Sequence, residues 1–149
     1  MMHGTPAAPV PAPVHPVSAS RRSERRRTRG RINHLAGLMA EDAVDRAYRD
    51  RGAAVLARRR QTPAGELDLV ARDGDVVVFV EVKHRRRGAP DDAPVSRKQW
   101  RRLELAANHY MLSEVGETGA MRGCRFDVAL VGPDGMAHIV ENARSFDAN

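Results

Sequence analysis

Two carboxylates and a lysine stand out in the segment GELDLVARDGDVVVFVEVK, at residues 65–83. Asp68 lies in its first half, and Glu81 and Lys83 lie at its end. Carboxylate oxygens are ligands that Mg²⁺ prefers in proteins. A lysine beside them can orient or deprotonate an attacking water and stabilise the charge that develops on a phosphate. The residue types therefore favour metal-dependent chemistry on phosphodiesters.

The pairing of two strands decides whether these side chains meet. The Asp-Gly pair at 73–74 is a strong hairpin signal, and a two-residue turn fixes the register. With this turn, Asp68 lies opposite Phe79. Glu66 then lies opposite Glu81, which makes Asp68 a diagonal neighbour of Glu81 on the same face. The other face of the hairpin is uniformly apolar: Leu67, Leu69, Ala71, Val76, Val78, Val80 and Val82.

Clustered carboxylates destabilise a sheet unless a cation lies between them. Asp68 and Glu81, together with the main-chain carbonyl of Val82, form an oxygen donor set that suits Mg²⁺ or Mn²⁺. The alternative is a surface hairpin with solvated carboxylates and an ion pair between Glu81 and Lys83. The burial predicted for both strands favours the metal site.

The elements that position this hairpin are expected in the order αβββαββ. This order predicts an α/β (α+β) domain, with a mixed β-sheet flanked by helices. Residues 76–80 are apolar on both faces, which is typical of a central strand. Hydrophobic spacing and turn residues predict helices at 33–51 and 96–115, and strands at 53–60, 66–72, 75–83, 125–131 and 136–141.

The termini differ in composition from the rest of the chain. Residues 1–31, Pro/Ala-rich and then Arg-rich, are expected to be a disordered tail, and 146–149 a short C-terminal tail around a domain at 32–145. The arginines could form a basic arm that contacts phosphates, or an extension without a role. A single cysteine, Cys124, and no secretory pattern indicate a reducing cytoplasm. The sequence contains no apolar run long enough for a membrane span.

Basic residues are concentrated beside the proposed site. The formal net charge of +6 equals the surplus in residues 21–31, so the remainder of the chain is formally neutral. Within it, residues 83–102 contain eight basic residues against two aspartates. This polarity predicts a DNA-binding surface, although such a run can also be a solvated face. Its members beyond Lys83 are Arg85, Arg86, Arg87, Arg97, Lys98, Arg101 and Arg102.

Four segments together resemble the YraN family of small bacterial proteins. They are GELDLV at 65–70, VFVEVKHR at 78–85, SRKQ at 96–99 and RFDVALV at 125–131. The resemblance covers most of the predicted domain, from Gly37 to Asn142. It implies the restriction-endonuclease-like fold of the PD-(D/E)xK superfamily and a relationship to archaeal Holliday-junction resolvases.

The resemblance also implies roles for individual residues. Asp68 and Glu81 would be metal ligands, and Lys83 would be the catalytic lysine. Glu41, in the first helix, would reach the metal or its waters, and Gln99 would support the site. The chain departs from the usual family residues at three positions, with Ala40 in place of glycine, Arg59 in place of asparagine and His84 in place of threonine.

The expected function is therefore that of a Mg²⁺- or Mn²⁺-dependent endonuclease that hydrolyses DNA, including branched or damaged DNA. The alternative is a catalytically weak nucleic-acid-binding or accessory protein in DNA processing, because a family resemblance does not establish turnover. RNA is a third substrate class. Resolvase relatives act as dimers, so the resemblance also implies a homodimer.

Overall fold

The computed structural model describes residues 17–85, 87, 95–116 and 121–144, with side chains from Arg21 onward. The chain divides into a short N-terminal unit that ends at His34 and a main unit from Leu35 onward. Within the described residues, no helix is long and apolar enough to cross a membrane. The predicted loop at 88–94, Arg86 and the two ends of the chain lie outside these residues.

Helix α1 (Val17–Asp50) begins much earlier than the sequence pattern predicts. We expected a helix from residue 33 and disorder before it, but residues 17–31 are helical. Arginine has a high helix propensity, and no proline occurs between Pro16 and Pro63 to interrupt the helix. The expectation of disorder gave too little weight to this local propensity. The rest of the expected tail, residues 1–16, lies outside the described residues.

The main unit contains one five-stranded mixed sheet, as predicted. The elements after α1 are β1 (Ala54–Thr62), β2 (Gly65–Asp73), β3 (Val76–His84), α2 (Arg97–Tyr110) with a terminal π turn (Met111–Val115), β4 (Gly123–Val131) and β5 (Ala137–Val140). The strands lie in the order β1-β2-β3-β4-β5, with β3 parallel to β4 and the other neighbours antiparallel. This α+β arrangement, with β3 at the centre, is confirmed and is compatible with a restriction-endonuclease-like core.

A helix covers each face of the sheet. On the α1 face, the buried core consists of Ala40, Val44, Tyr48, Ala53, Leu69, Ala71, Val78, Val80, Ala129 and Val131. On the α2 face, it consists of Leu67, Val70, Val77, Phe79, Leu103, Ala106, Ala107, Tyr110 and Phe126. Alternate residues of β3 enter opposite cores, so this strand is buried on both faces, as its sequence predicts.

The β2–β3 hairpin has a different register from the predicted one. Asp73 pairs with Val76, so the turn is Gly74-Asp75 and not Asp73-Gly74. Gly74 has φ +61°, which suits the first loop position of a two-residue hairpin where glycine is favoured. The pairing is displaced by two residues, and side chains alternate with a period of two. Side chains within the paired ladder, from Leu69 to Asp73 and from Val76 to Val80, therefore keep their predicted faces.

The regular alternation of β2 fails at the position of Asp68. Leu67, predicted to share a face with Leu69, instead belongs to the core on the α2 side. On β1, Arg58 pairs with Leu69 and Arg60 pairs with Leu67. Arg59, between them, has φ +48°, in the left-handed region that arginine rarely adopts. This irregular backbone of β1 lies opposite the position where the alternation of β2 fails.

A buried carboxylate connects α1 to the centre of the sheet. Asp127 of β4 is 0% exposed and accepts a hydrogen bond of 2.6 Å from the Tyr48 hydroxyl. Arg125 Nε at 3.0 Å and the Asn142 main-chain N–H at 2.9 Å also donate to it. Burial and the bond to Asp127 raise the pKa of Tyr48, which keeps its hydroxyl protonated as a donor. The buried Asp127 carboxylate therefore receives hydrogen bonds from a hydroxyl, a guanidinium and a main-chain N–H.

Replacement of Tyr48 by phenylalanine tests this connection. Tyr48→Phe leaves the Asp127 charge short of one donor and should lower the free energy of unfolding by about 1–3 kcal/mol. Tyr110→Phe is the matched control, because Tyr110 is also buried but its hydroxyl forms no bond to a buried carboxylate among the described residues. Urea denaturation of both variants measures the difference. Equal losses of stability would contradict a specific contribution from the Tyr48 bond.

Candidate metal centre

The candidate site lies where β2 and β3 stop pairing. The ladder between these strands ends with the pair Leu69 and Val80. Beyond it, Asp68 Oδ2 accepts a hydrogen bond of 2.9 Å from the main-chain N–H of Val82. A carboxylate thus takes the place of a backbone acceptor from the neighbouring strand. This bond fixes Asp68 beside the end of β3, where Glu81 and Lys83 lie.

Glu81 is 6% exposed, which is unusual for a carboxylate. Its Oε1 lies 3.0 Å from Lys83 Nζ. Its Oε2 is buried and accepts no hydrogen bond from the described residues. Arg102 Nη2 lies 3.5 Å from Oε2. One oxygen of a buried carboxylate therefore retains acceptor capacity.

Sequence analysis assigned Arg102 to the DNA-binding surface and missed its position at this site. Its Nη1 donates a hydrogen bond of 2.6 Å to the Glu66 carbonyl oxygen, so the side chain crosses the start of β2. A Cβ at Gly65 would lie 2.9 Å from that nitrogen. The glycine before Glu66 was a signal in the sequence, but the distant arginine that needs it could not be identified from spacing.

Glu41 and Glu66 also act on the site. The Glu41 carboxylate has a buried Oε2 without a hydrogen-bond partner among the described residues, and Arg58 Nη2 lies 4.0 Å from it. The Glu66 carboxylate accepts hydrogen bonds from Arg59 and Gln61. Both charges raise the pKa of Asp68. Glu41 is therefore close enough to interact with the site, and Glu66 is held beside it.

The electrostatics of the site favour a cation. Burial, with the nearby charge of Glu81, raises the pKa of Asp68 from 3.8 to about 7. Burial likewise raises the pKa of Glu41. Two hard oxygen donors, an acceptor atom without a hydrogen bond and the repulsion between neighbouring carboxylates fit a divalent ion that also keeps several waters. Among the described residues, no three His, Cys, Asp or Glu side chains form a preassembled metal cage.

Gln99 has a structural role at the start of α2. Its side-chain Oε1 accepts a hydrogen bond of 3.0 Å from the Ser96 N–H, and its own N–H donates to Ser96 Oγ. This reciprocal arrangement is a capping box, which confirms Ser96 as the helix cap. Among the described residues, no hydrogen bond joins Gln99 to Asp68, Glu81 or Lys83. Any support that it gives to the site therefore acts through the position of α2.

The predicted nucleic-acid residues separate into different environments. Arg97, Lys98 and Arg101 are exposed, and none forms an ion pair within the described part of the chain. They line a shallow depression of about 500 Å³. The remaining lining residues, Glu104 and Arg144, pair with each other, and the Arg144 guanidinium lies 5.7 Å from the Trp100 ring centroid. Sequence analysis did not identify Arg144 as part of this surface.

The end of β3 contributes less to this basic surface. The Arg85 main-chain N–H donates to the Val131 carbonyl at 2.8 Å, and its side chain is half-buried. Arg87 is exposed. Arg86 lies outside the described residues. The unpaired positive charge of the described chain in this region is therefore concentrated on α2.

Comparison with known sequences identifies the family. A sequence model described as "Uncharacterised protein family UPF0102" matches residues 40–131. The chain belongs to this family. UPF0102 is the YraN family, so the resemblance recognised from the four segments is confirmed. The matched region includes Asp68, Glu81 and Lys83.

Similar UPF0102 proteins occur in several bacteria. One from Cereibacter sphaeroides is 44% identical over 76% of this chain and 96% of its own length. One from Ruegeria pomeroyi is 46% identical over 78% of this chain and 93% of its own. One from Azorhizobium caulinodans is 41% identical over 78% and 88%, respectively. These matches extend over most of each relative.

The raised pKa of Asp68 predicts a pH-dependent stability of the metal-free protein. Between about pH 4 and about pH 7, the folded state keeps a proton that the unfolded state releases, so stability falls as pH rises through this window. Asp68→Asn keeps an acceptor for the Val82 N–H but carries no charge. Its free energy of unfolding should exceed that of the wild type by about 3 kcal/mol at about pH 8, and by much less at about pH 4.5.

Urea denaturation with a chelator at both pH values measures this difference. Asp75→Asn is the control, because Asp75 is an exposed residue at the other end of the same hairpin. Parallel pH profiles for the wild type and Asp68→Asn would contradict the burial of an uncompensated charge at Asp68.

Proposed function

We propose that this UPF0102 protein is a divalent-metal-dependent endonuclease that hydrolyses DNA phosphodiester bonds. The observation that carries the proposal is the convergence of Asp68 and Glu81 at the separation of β2 and β3, with Lys83 3.0 Å from Glu81. Glu81 is buried and Asp68 is partly buried, and burial together with the charge of Glu81 raises the pKa of Asp68. Such an arrangement opposes folding unless a ligand uses it, so it supports a functional site.

The metal ligands in this proposal are Asp68, Glu81 and the main-chain carbonyl of Val82, with Glu41 close to the ion or its waters. These are oxygen donors, which suit Mg²⁺ and also Mn²⁺. A bound ion would supply charge neutralisation at the scissile phosphate and activation of water as a nucleophile. The hydrogen bond from Val82 to Asp68 holds that carboxylate in place.

Lys83 is the chain's own catalytic cation in the proposed reaction. It lies on the same strand and face as Glu81, and its side chain is 23% exposed, so it can contact a substrate. The ammonium group would orient the attacking water and stabilise the charge that develops on the phosphate oxygens. Lys83→Met should therefore lower turnover more than it lowers DNA affinity.

DNA as the substrate is supported by the basic face of α2. Arg97, Lys98 and Arg101 line one depression without acidic partners among the described residues. By contrast, Arg58 and Arg125 of the sheet are paired with carboxylates. Unpaired like charges on one helix repel each other, and a polyanion removes that cost. The resemblance to archaeal Holliday-junction resolvases is the reason that this proposal includes branched DNA as a substrate and a homodimer as the assembly.

The same depression favours a second candidate function, that of a DNA-binding accessory protein with little turnover. Its cations are separate from the carboxylates, so binding could persist without hydrolysis. Both functions are compatible with the reducing cytoplasm that the sequence predicts. They differ in whether a divalent ion bound at Asp68 and Glu81 leads to DNA cleavage.

A cleavage assay with end-labelled branched, flapped and linear DNA tests the proposal. In Mg²⁺ or Mn²⁺ the wild type should cleave at least one of these substrates. Asp68→Asn and Lys83→Met should each lower the rate by about 100-fold or more, because they remove a metal ligand and a charge-stabilising group. Asp75→Asn, at the opposite end of the hairpin, should cleave as the wild type does.

Three outcomes discriminate between the candidates. Equal cleavage by the wild type and both site variants would show that the activity comes from another site or a contaminant. Tight DNA binding without cleavage in either metal would favour the accessory function. Neither binding nor cleavage of any DNA would contradict both candidates.

A further inference from the structure

Arg102 connects the two strands that carry the candidate metal ligands. Its Nη1 donates to the Glu66 carbonyl oxygen of β2 at 2.6 Å, and its Nη2 lies 3.5 Å from Glu81 Oε2 of β3. Lys83 Nζ lies 3.0 Å from the other Glu81 oxygen. Each oxygen of this buried carboxylate is thus faced by a cation of the chain itself.

The side chain of Arg102 packs against Gly65 at the start of β2. A Cβ at residue 65 would lie 2.9 Å from Arg102 Nη1 and 3.1 Å from its Cδ, which is closer than side chains normally approach. Gly65 also has φ +133°, a conformation that other residues rarely adopt. The Arg102 side chain therefore packs closely over Gly65, and a larger residue at this position would require Arg102 to shift.

Arg102 is also distinct from the other cations of α2. Arg101, the preceding residue, is exposed and lines the outer depression without an ion pair in the described chain. Arg102 is half-buried and faces Glu81. Neighbouring arginines on one helix thus have separate environments, which provides a matched pair for experiment.

We infer that Arg102 is the counter-ion of the metal-free site, and that a divalent ion must compete with it for the Glu81 carboxylate. The inference rests on the proposed function, since it assumes that Glu81 is a metal ligand. A guanidinium this close to a dication repels it, and its ion pair stabilises the metal-free state. Arg102 therefore lowers metal affinity while it stabilises the metal-free fold.

Calorimetric titration of the full chain with Mn²⁺ tests the inference without reference to activity. Arg102→Gln should bind Mn²⁺ about tenfold more tightly than the wild type, because a repulsive charge and a competing ion pair are removed. Arg102→Met, which keeps the aliphatic stem over Gly65, should behave in the same way and replaces the glutamine variant if that variant does not fold. Arg102→Lys retains the charge and should stay close to the wild type.

Arg101→Gln is the control for a general loss of positive charge, and its Mn²⁺ affinity should match that of the wild type. Unchanged or weaker binding by Arg102→Gln and Arg102→Met would overturn the inference while leaving the proposed metal site intact. An equal gain in Arg101→Gln would also overturn it, because the effect would then be long-range. Absence of Mn²⁺ binding by all the proteins would overturn both the inference and the proposed function.

Discussion

The candidate site depends on holding the carboxylate of Asp68, which is partly buried, close to that of Glu81, which is buried. Their charges repel each other, and burial removes the solvent that would otherwise weaken the repulsion. The chain compensates in part, with the Val82 N–H at Asp68 and the cations Lys83 and Arg102 at Glu81. Burial and the charge of Glu81 nonetheless raise the pKa of Asp68 to about 7. In the proposed function, a divalent ion would supply the further positive charge that favours ionised Asp68.

Much of this arrangement follows from local sequence patterns. Alternation and turn residues predicted the order of strands and helices, and the two-sided apolar character of residues 76–80 predicted that β3 is central. The proximity of Asp68 to the end of β3 was predictable even though the register was not. A two-residue displacement leaves the side chains of the paired ladder on their original faces, because the strand repeat is also two residues.

Other features depend on contacts that local patterns do not encode. The turn uses Gly74 at its first position, and either dipeptide, Asp-Gly or Gly-Asp, is compatible with a hairpin. Arg102 donates a hydrogen bond to Glu66, which is 36 residues away in the sequence. The sequence feature that accompanies this contact is Gly65. The left-handed backbone of Arg59 has no signal in the arginine itself, although asparagine, the usual family residue at this position, adopts that conformation more readily.

The most direct test of the central claim is anomalous diffraction from crystals of the full chain equilibrated with Mn²⁺ at about pH 8, where Asp68 is ionised. The account predicts an anomalous peak between Asp68 and Glu81, at about 2.1 Å from a carboxylate oxygen of each. That peak should be absent from crystals of Asp68→Asn. A wild-type structure with ordered Mn²⁺ elsewhere, or with none between these two carboxylates at saturating concentration, would contradict the account.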